Sequence, residues 1–339
     1  MTERRRIVSG CRPTGRLHLG HLLGALRNWI SLQNETESFF FVADWHALTT
    51  GWQDPSGIRA STREMVLDWL AAGLDPNKVV LFVQSAVPAH AELHLLLSMI
   101  VPTPWLLRNP TIKEQARELG LLSGGDDDDN AMSQLNYGML GYPVLQSADI
   151  LVYRAAGVPV GIDQVPHLEM TREVARRFNH LYQPVFPEPA ALLTASPKIP
   201  GTDGRKMSKS YNNAVYLSES DAEITTKLSR MATDPRRVRR TDPGDPNDCP
   251  AFNLHRIYCT PDEIATVTEG CRTAGIGCLD CKKIMIKHVL ADITPIRERR
   301  AALDARAGVV DEVLAAGNAR ATTAAGETMA RVRDAMQLN

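Results

Sequence analysis

The sequence predicts an α/β fold, a parallel sheet with helices on both faces, followed by an all-helical region. Two observations carry this. Short apolar runs alternate with 3.6-residue patterns through the first half of the 339-residue chain, and from about Asp221 the pattern becomes helical. Residues 7–9 read as a first strand, followed by a helix that opens at His18-Leu19-Gly20-His21 and runs to about Gln33. Residues 39–43 (FFFVA) read as a buried strand ending at Asp44. Residues 55–73 form an amphipathic helical pattern with Met65, Leu67, Leu70 and Ala71 on one side. Residues 79–83 (VVLFV) are a third strand, ending at Gln84-Ser85. Residues 158–161 are a fourth, with a helix following from about Asp163 to Phe178. Ligands on such sheets bind beyond the carboxyl ends of the strands, and Ser9, Asp44, Ser85 and Asp163 sit at or just past those ends. Helical segments broken by Pro and Gly reach about Pro250 and resume from Pro261. The last stretch, 309–338, is Ala-rich, with breaks expected near Gly317 and Gly326.

Composition sets limits on function. The chain is 44% hydrophobic and 23% charged, an ordinary balance with enough apolar surface for two domains and a sizeable core. Net charge is −1, so a nucleic-acid partner has to be met by a local patch. No apolar run is long enough to span a bilayer and MTERRRIVSG lacks the apolar stretch of a signal peptide, so the expected compartment is the cytoplasm. Six cysteines, crowded toward the C-terminal half, favour metal binding or plain thiols over a secreted disulfide scaffold. Residues 124–130, GGDDDDN, read as a surface loop: four adjacent carboxylates repel one another, and Gly-Gly does not hold a helix.

Two segments carry chemistry. His18-Leu19-Gly20-His21 places two imidazoles at a helix start, where they can donate hydrogen bonds to phosphate oxygens. Lys206-Met207-Ser208-Lys209-Ser210 puts two lysines on a polar, Gly-containing loop as mobile point charges for an anionic ligand. Alone, each reads as a solvated helix start or a surface loop. Together, in this order after a strand, they resemble the HIGH and KMSKS signatures of class I aminoacyl-tRNA synthetases. Between them lie YPVLQSADIL (142–151) and VPVGIDQVPHLE (158–169), which resemble the amino-acid pocket and following nucleotide-side segment of bacterial tryptophanyl-tRNA synthetases. Ser9-Gly10, Pro13-Thr14-Gly15, DWHALT (44–49) and WQDP (52–55) are similar to that family too. The resemblance runs from about residue 5 to the C-terminus.

The resemblance implies a doubly wound, Rossmann-like catalytic domain (1–213), a helical anticodon-binding domain (214–300) and C-terminal helices (301–339) packing back on the catalytic domain. It implies that the chain activates L-tryptophan with ATP and Mg2+ and passes the tryptophanyl group to tRNA(Trp), as a homodimer. His18, His21, Lys206 and Lys209 would stabilise charge on the phosphates. Arg12, Thr14, Gly20, Asp163, Met207, Ser208 and Ser210 would join His21 around ATP, Asp163 orienting the ribose. Val8, Gly10, His46, Tyr142, Gln146, Asp149, Val158, Val160 and Gln164 would form the tryptophan site. An indole N–H only donates, so a selective pocket needs a buried acceptor, and the resemblance gives that role to Asp149. Read without it, Asp149 is a carboxylate early in a helix between Pro143 and Tyr153, stabilised by the helix dipole. Three positions depart from the family. Gln146 stands where many members carry Met, Val8 replaces an aromatic of some relatives, and Arg12 occupies a place that is often Gln.

Arg230, Arg236, Arg237, Arg239 and Arg240 form the dense basic cluster at the start of the helical region. Charge alone is equally a solvated face; the resemblance turns it toward tRNA phosphates. Cys249, Cys271, Cys278 and Cys281 are separated by 21, six and two residues. A CxxC with two further cysteines upstream reads as a four-thiolate site, and its spacing resembles a [4Fe–4S] motif of a subset of tryptophanyl enzymes, ahead of zinc. Cys259 and Cys11 fall outside the set. Two other readings stay open: a tyrosyl-tRNA synthetase, against which segment 158–161 argues, and a tryptophan-binding paralogue with a regulatory or partner role, which would not need HLGH and KMSKS.

Overall fold

Strands form where the apolar runs predict them. In the computed structural model, which describes residues 4–118, 135–161, 165–193 and 199–338, they are β1 (Arg6–Cys11), β2 (Glu37–Val42), β3 (Val80–Val83) and β4 (Gly157–Val160). A fifth, β5 (Ala190–Leu193), joins at the edge. Its run, AALL, is short and only partly buried, so no apolar block marked it in the sequence. The order is β3-β2-β1-β4-β5 and every pairing is parallel. This is a doubly wound sheet whose order reverses between β1 and β4, opening a crevice beyond Cys11 and Val160.

After β1 and a turn, helices Leu19–His21, Leu22–Leu26 (a π-helical turn) and Arg27–Leu32 run on from one another without a break. The turn before them is fixed by Asp68, which is fully buried on helix Ile58–Ala72. Asp68 accepts from the Leu17 backbone N–H at 2.7 Å and from Arg300 at 2.7 Å; Arg300 also reaches Glu64 at 2.6 Å. Arg300 lies on helix Cys278–Asp304, which crosses residue 300 unbroken and carries Met285, Val289 and Ile293 into the same core as Leu17, Leu22 and Met65. Helices Asp221–Ser229, Pro250–Tyr258 and Pro261–Arg272 surround its first half. The first and third of these start with Ser/Thr-x-x-Glu capping boxes, at Ser220 and Thr260. Among the described residues, no helix is long and apolar enough to cross a membrane.

The last helix, Val309–Ala335, runs straight through Gly317 and Gly326, where breaks were expected. Packing overrides the roughly 1 kcal/mol that each glycine costs a helix. At Gly317 the helix backbone lies against β3, and a Cβ there would overlap the Leu81 carbonyl. Asn318 accepts from the Val83 N–H at 2.9 Å, and Arg320 donates to the Pro76 and Val79 carbonyls at 3.1 Å. Gly326 faces open space. Gly317→Ala is therefore expected to cost about 3 kcal/mol, the upper range for overpacking against an unyielding neighbour, whereas Gly326→Ala gains up to about 1 kcal/mol of helix propensity. Thermal midpoints of the two variants should move in opposite directions.

Candidate nucleotide and amino-acid site

One end of the site is built by two histidines that cap one helix. His18 Nδ1 accepts from the Gly20 N–H at 3.1 Å, and His21 Nδ1 accepts from the His18 N–H at 3.2 Å. With both Nδ1 atoms used as acceptors, the neutral rings carry their protons on Nε2, as outward donors. Burial, helped by the Lys209 charge, lowers His18 to about 4; burial, with His18 and Lys209, lowers His21 to about 3. Both are neutral donors at pH 7. Gly20 is required here because a Cβ would lie 2.9 Å from the His18 ring.

The Lys206–Ser210 segment meets this helix. Met207 is buried and anchors it, its N–H donating to the Ile199 carbonyl at 2.9 Å. Asn213 braces the loop, accepting from the Ser208 N–H at 2.8 Å and donating to Asp203 at 2.7 Å and to the Lys206 carbonyl at 3.2 Å. Lys209 reaches across to the turn after β1 and donates to the Thr14 carbonyl and, at 3.3 Å, to the Thr14 hydroxyl. Burial lowers the Lys209 pKa. Lys206, Ser210 and Arg12 are exposed at the rim. Leu19 N–H bonds the Val215 carbonyl at 3.0 Å, so the first signature is also joined through backbone to the segment just after the second.

Asp149 anchors the other end. It lies in the last turn of helix Tyr137–Leu151, with Pro143 inside the helix, not early in a helix beginning after Pro143. A carboxylate there opposes the helix dipole, so the N-terminal dipole account of this residue fails. Its stabilisation comes from side chains. Oδ1 accepts from Gln84 Nε2 and from His90 Nδ1, each at 2.7 Å, and Oδ2 pairs with His46 Nε2 at 2.7 Å. Burial pushes this carboxyl up, but His46 and His90 outweigh it and hold it down at about 2. His90, donating from Nδ1, accepts the Tyr153 O–H at Nε2, 2.8 Å away. Gln84, His90 and Tyr153 are all fully buried. A carboxylate has about four lone-pair sites. Three are used here, and the one left is on Oδ2.

The structure brings several expected pocket residues around this centre. Val8, Tyr142 and Val158 share one buried apolar cluster, and Val160 packs against it. The Tyr142 ring lies edge-on to His46, with centroids 6.3 Å apart, and its hydroxyl is 3.1 Å from His167 Nε2. Gly10 leaves the room that the Phe41 ring fills. Gln146 is half-buried, one helical turn beyond Tyr142. A cavity of about 490 Å³ adjoins Tyr142, lined also by Trp45, Trp52, His94, Gly141 and Leu145. Asp44 accepts from the Ser85 N–H at 3.0 Å, tying the ends of β2 and β3 together. Asp163, Gln164 and the Asp126–Asp129 loop lie outside the described residues.

These shifts fix the acid response. The folded pKa values of His18 and His21 lie below the unfolded value of about 6.5, so the unfolded chain binds more protons below that pH. Stability is therefore full above about pH 6.5 and falls as pH drops toward 4 and 3. Asp149 extends the loss from about pH 4 down to about 2. Calorimetry should show a thermal midpoint that declines below pH 6.5 and goes on declining to about pH 2; a constant midpoint from pH 7 to 4 would contradict the buried neutral histidines.

In the helical region, Cys249 caps helix Pro250–Tyr258, Cys271 ends helix Pro261–Arg272, and Cys278 and Cys281 share the first turn of helix Cys278–Asp304. All four line one small closed cavity with Arg237, His255 and Lys282. None is in a disulfide. Burial, and then the other three cysteines, push the Cys281 thiol up to about 12. Arg237 Nη1 is 3.9 Å from Cys271 Sγ, while its Nε is buried without a partner among the described residues. A Cβ on Gly244 would lie 2.9 Å from Cys271 Sγ. Of the arginine cluster, Arg236 is held by Asp234 at 3.1 Å and Asp248 at 2.6 Å, and Arg237 donates to the Arg240 and Ile276 carbonyls. Arg239 and Arg240 are exposed.

A doubly wound sheet with imidazole donors and a loop lysine converging beyond its switch point defines a nucleotide-binding α/β protein. The chain belongs to the tryptophanyl and tyrosyl family of class I tRNA synthetases: a family model described as tRNA synthetases class I (W and Y) matches residues 1–291. The tryptophan–tRNA ligase of Thermotoga maritima is 52% identical over 335 residues, covering 98% of this chain and 99% of that protein. That of Aquifex aeolicus is 45% identical over 393 residues, covering 98% and 100%. A crystal structure of Campylobacter jejuni tryptophanyl-tRNA synthetase with ADP and tryptophan superposes with a TM-score of 0.84 at 28% identity, covering 98% of this chain and 99% of that one. Tyrosyl-tRNA synthetase of Aeropyrum pernix, at 20% identity and a TM-score of 0.66, shares the fold.

Proposed function

We propose that this chain activates L-tryptophan with ATP and charges tRNA(Trp). The observation that carries the reading is the meeting of Lys209 with the outward Nε2 donors of His18 and His21, on a sheet whose carboxyl edge also presents the buried acceptor Asp149. Full-length relatives named tryptophan–tRNA ligase at 45% and 52% identity support tryptophan over tyrosine.

A tryptophan carboxylate oxygen attacks the α-phosphorus, the bond to the bridging oxygen breaks, and pyrophosphate leaves. The terminal ribose hydroxyl of tRNA then attacks the tryptophanyl carbonyl and AMP leaves. The chain has to position these groups and to meet the spreading charge. His18 and His21 donate from Nε2, Lys206 and Lys209 supply cations, and Ser208 and Ser210 add hydroxyl donors. Thr14, Gly20, Met207 and Arg12 shape the nucleotide side, with Asp163 on the ribose. Asp149 takes the indole N–H on its remaining Oδ2 lone pair, Val8, Gly10, Tyr142, Gln146, Val158 and Val160 wall the ring, and Gln164 and His46 orient it. Magnesium, when bound, neutralises part of the triphosphate charge.

We read the four cysteines as the site of a [4Fe–4S] group, which their convergence on one cavity supports. Three sulfurs of a zinc tetrahedron lie about 3.8 Å apart, whereas no three of these four cysteines come within 4.8 Å of one another. Arg237 Nε, without a partner among the described residues, is a donor on the guanidinium beside Cys271. Cys249, Cys271, Cys278 and Cys281 would hold the cluster, which when bound supplies a rigid cross-link between three helix ends. Arg239 and Arg240 contact tRNA phosphates, with Arg236 and Arg237 holding the segment that carries them. We read the chain as a cytoplasmic homodimer.

Tryptophan-dependent ATP–pyrophosphate exchange, with tyrosine and phenylalanine as controls, tests the reading. Exchange with tryptophan alone is expected. Folded protein that binds tryptophan without exchange would instead be a regulatory paralogue.

A further inference from the structure

We propose that Cys259, Glu263 and His288 form a second metal site, separate from the four-cysteine cavity and specific for a borderline-soft divalent ion of the zinc class. Their ligand atoms lie within 4.8 Å of one another, the one such trio among the described residues. The three come from different helices. Cys259 follows the C-terminus of Pro250–Tyr258, Glu263 sits in the first turn of Pro261–Arg272, and His288 lies midway along Cys278–Asp304. His288 Nε2 is 2.8 Å from Glu263 Oε2 and 3.0 Å from Oε1. That ion pair explains two of the residues, but it gives no reason for a sulfur to stand beside them.

The donor set argues for the ion. Thiolate, imidazole and carboxylate together select zinc or cobalt over calcium or magnesium, which take oxygen ligands. Two of the three ligands, Glu263 and Cys259, are also held by an outer partner, as metal ligands usually are. The Thr260 N–H donates to Glu263 Oε2 at 2.9 Å, and His255 Nδ1 is 3.3 Å from Cys259 Sγ. All three ligands are half-buried, so a solvent water can take the fourth tetrahedral position. On binding, the Cys259 S–H bond gives way to a sulfur–metal bond and the proton leaves to solvent. The other ring nitrogen of His255 is 3.3 Å from Cys281 Sγ, so a single buried imidazole separates this site from the cysteine cavity. The ion would tie the three helices together from the opposite side of His255.

Cobalt titration of the full-length protein tests this, with iron content followed in parallel. One Co2+ per chain is expected, with thiolate-to-metal charge-transfer absorption in the near ultraviolet. That band should vanish in Cys259→Ser, His288→Gln should bind cobalt at least tenfold more weakly, and Cys278→Ser should keep the band. If Cys259→Ser does not fold, His288→Gln read against Cys278→Ser decides on the same band. No band at stoichiometric cobalt, or a band lost in Cys278→Ser and unchanged in His288→Gln, overturns the site. The readout involves neither tryptophan nor tRNA, so it stands or falls apart from the synthetase reading.

Discussion

Lys209→Ala should slow tryptophan-dependent ATP–pyrophosphate exchange about a hundred- to a thousandfold, the usual effect of removing one preorganised donor from a charged transition state. Tryptophan binding should hardly change, because Lys209 sits at the phosphate end, over Thr14, and Asp149 holds the other end of the site. The argument rests on where its charge is kept. Lys209 is half-buried and already engaged by the Thr14 carbonyl, so its ammonium is placed before the nucleotide arrives. His18 and His21, neutral and locked as Nε2 donors, cannot replace a lost cation. Lys209→Arg keeps the charge but offers a planar fork where a compact ammonium fits, so only partial recovery is expected. Presteady-state adenylate formation and equilibrium tryptophan binding measure the two quantities separately. Equal losses in both would mean that Lys209 supports the fold of the loop and not the transition state.

How far the sequence could be read follows from the kind of signal each feature leaves. Strands buried on both faces leave solid apolar blocks, so β1 to β4 were legible, while β5, four residues at a half-exposed edge, was not. Gly317 reads as a helix breaker until its long-range contact with Leu81 is known. HLGH and KMSKS are local patterns and survive in sequence. The charge balance around Asp149 does not: Gln84 and His90 are 65 and 59 residues from it, and Tyr153 is 63 residues from the His90 that it bonds, separations that match no spacing rule. Only Gln84 left a trace, by ending a predicted strand. The arginine cluster shows the opposite error. Composition displays Arg236 as a free cation, but Asp234 and Asp248 occupy it in the fold.

Asp149→Asn is expected to have the largest effect on specificity, lowering the preference for tryptophan over phenylalanine at least a hundredfold. Three donors converge on this carboxylate, from Gln84, His90 and His46. An asparagine offers one acceptor oxygen and one donor NH2, so at least one of the three would face a donor in a buried setting, at about 1–3 kcal/mol. The Oδ2 lone pair that an indole N–H would use is on the side paired with His46, and it is lost or turned inward whichever way the amide lies. Phenylalanine has no N–H to satisfy. Under the proposed role of Asp149 it is excluded in the parent because it leaves a buried acceptor unpaired, and that penalty shrinks when the acceptor goes. Gln84→Leu separates positioning from recognition. It removes one donor to Oδ1 and leaves Oδ2 in place, so selectivity should persist while the Asp149 carboxyl, with less support, titrates higher than its present value of about 2. Tryptophan and phenylalanine kcat/KM in exchange, measured for both variants alongside thermal melts, separate the two roles. If Gln84→Leu lost selectivity as fully as Asp149→Asn at equal stability, the discriminating group would be the whole donor cluster and not the single free lone pair.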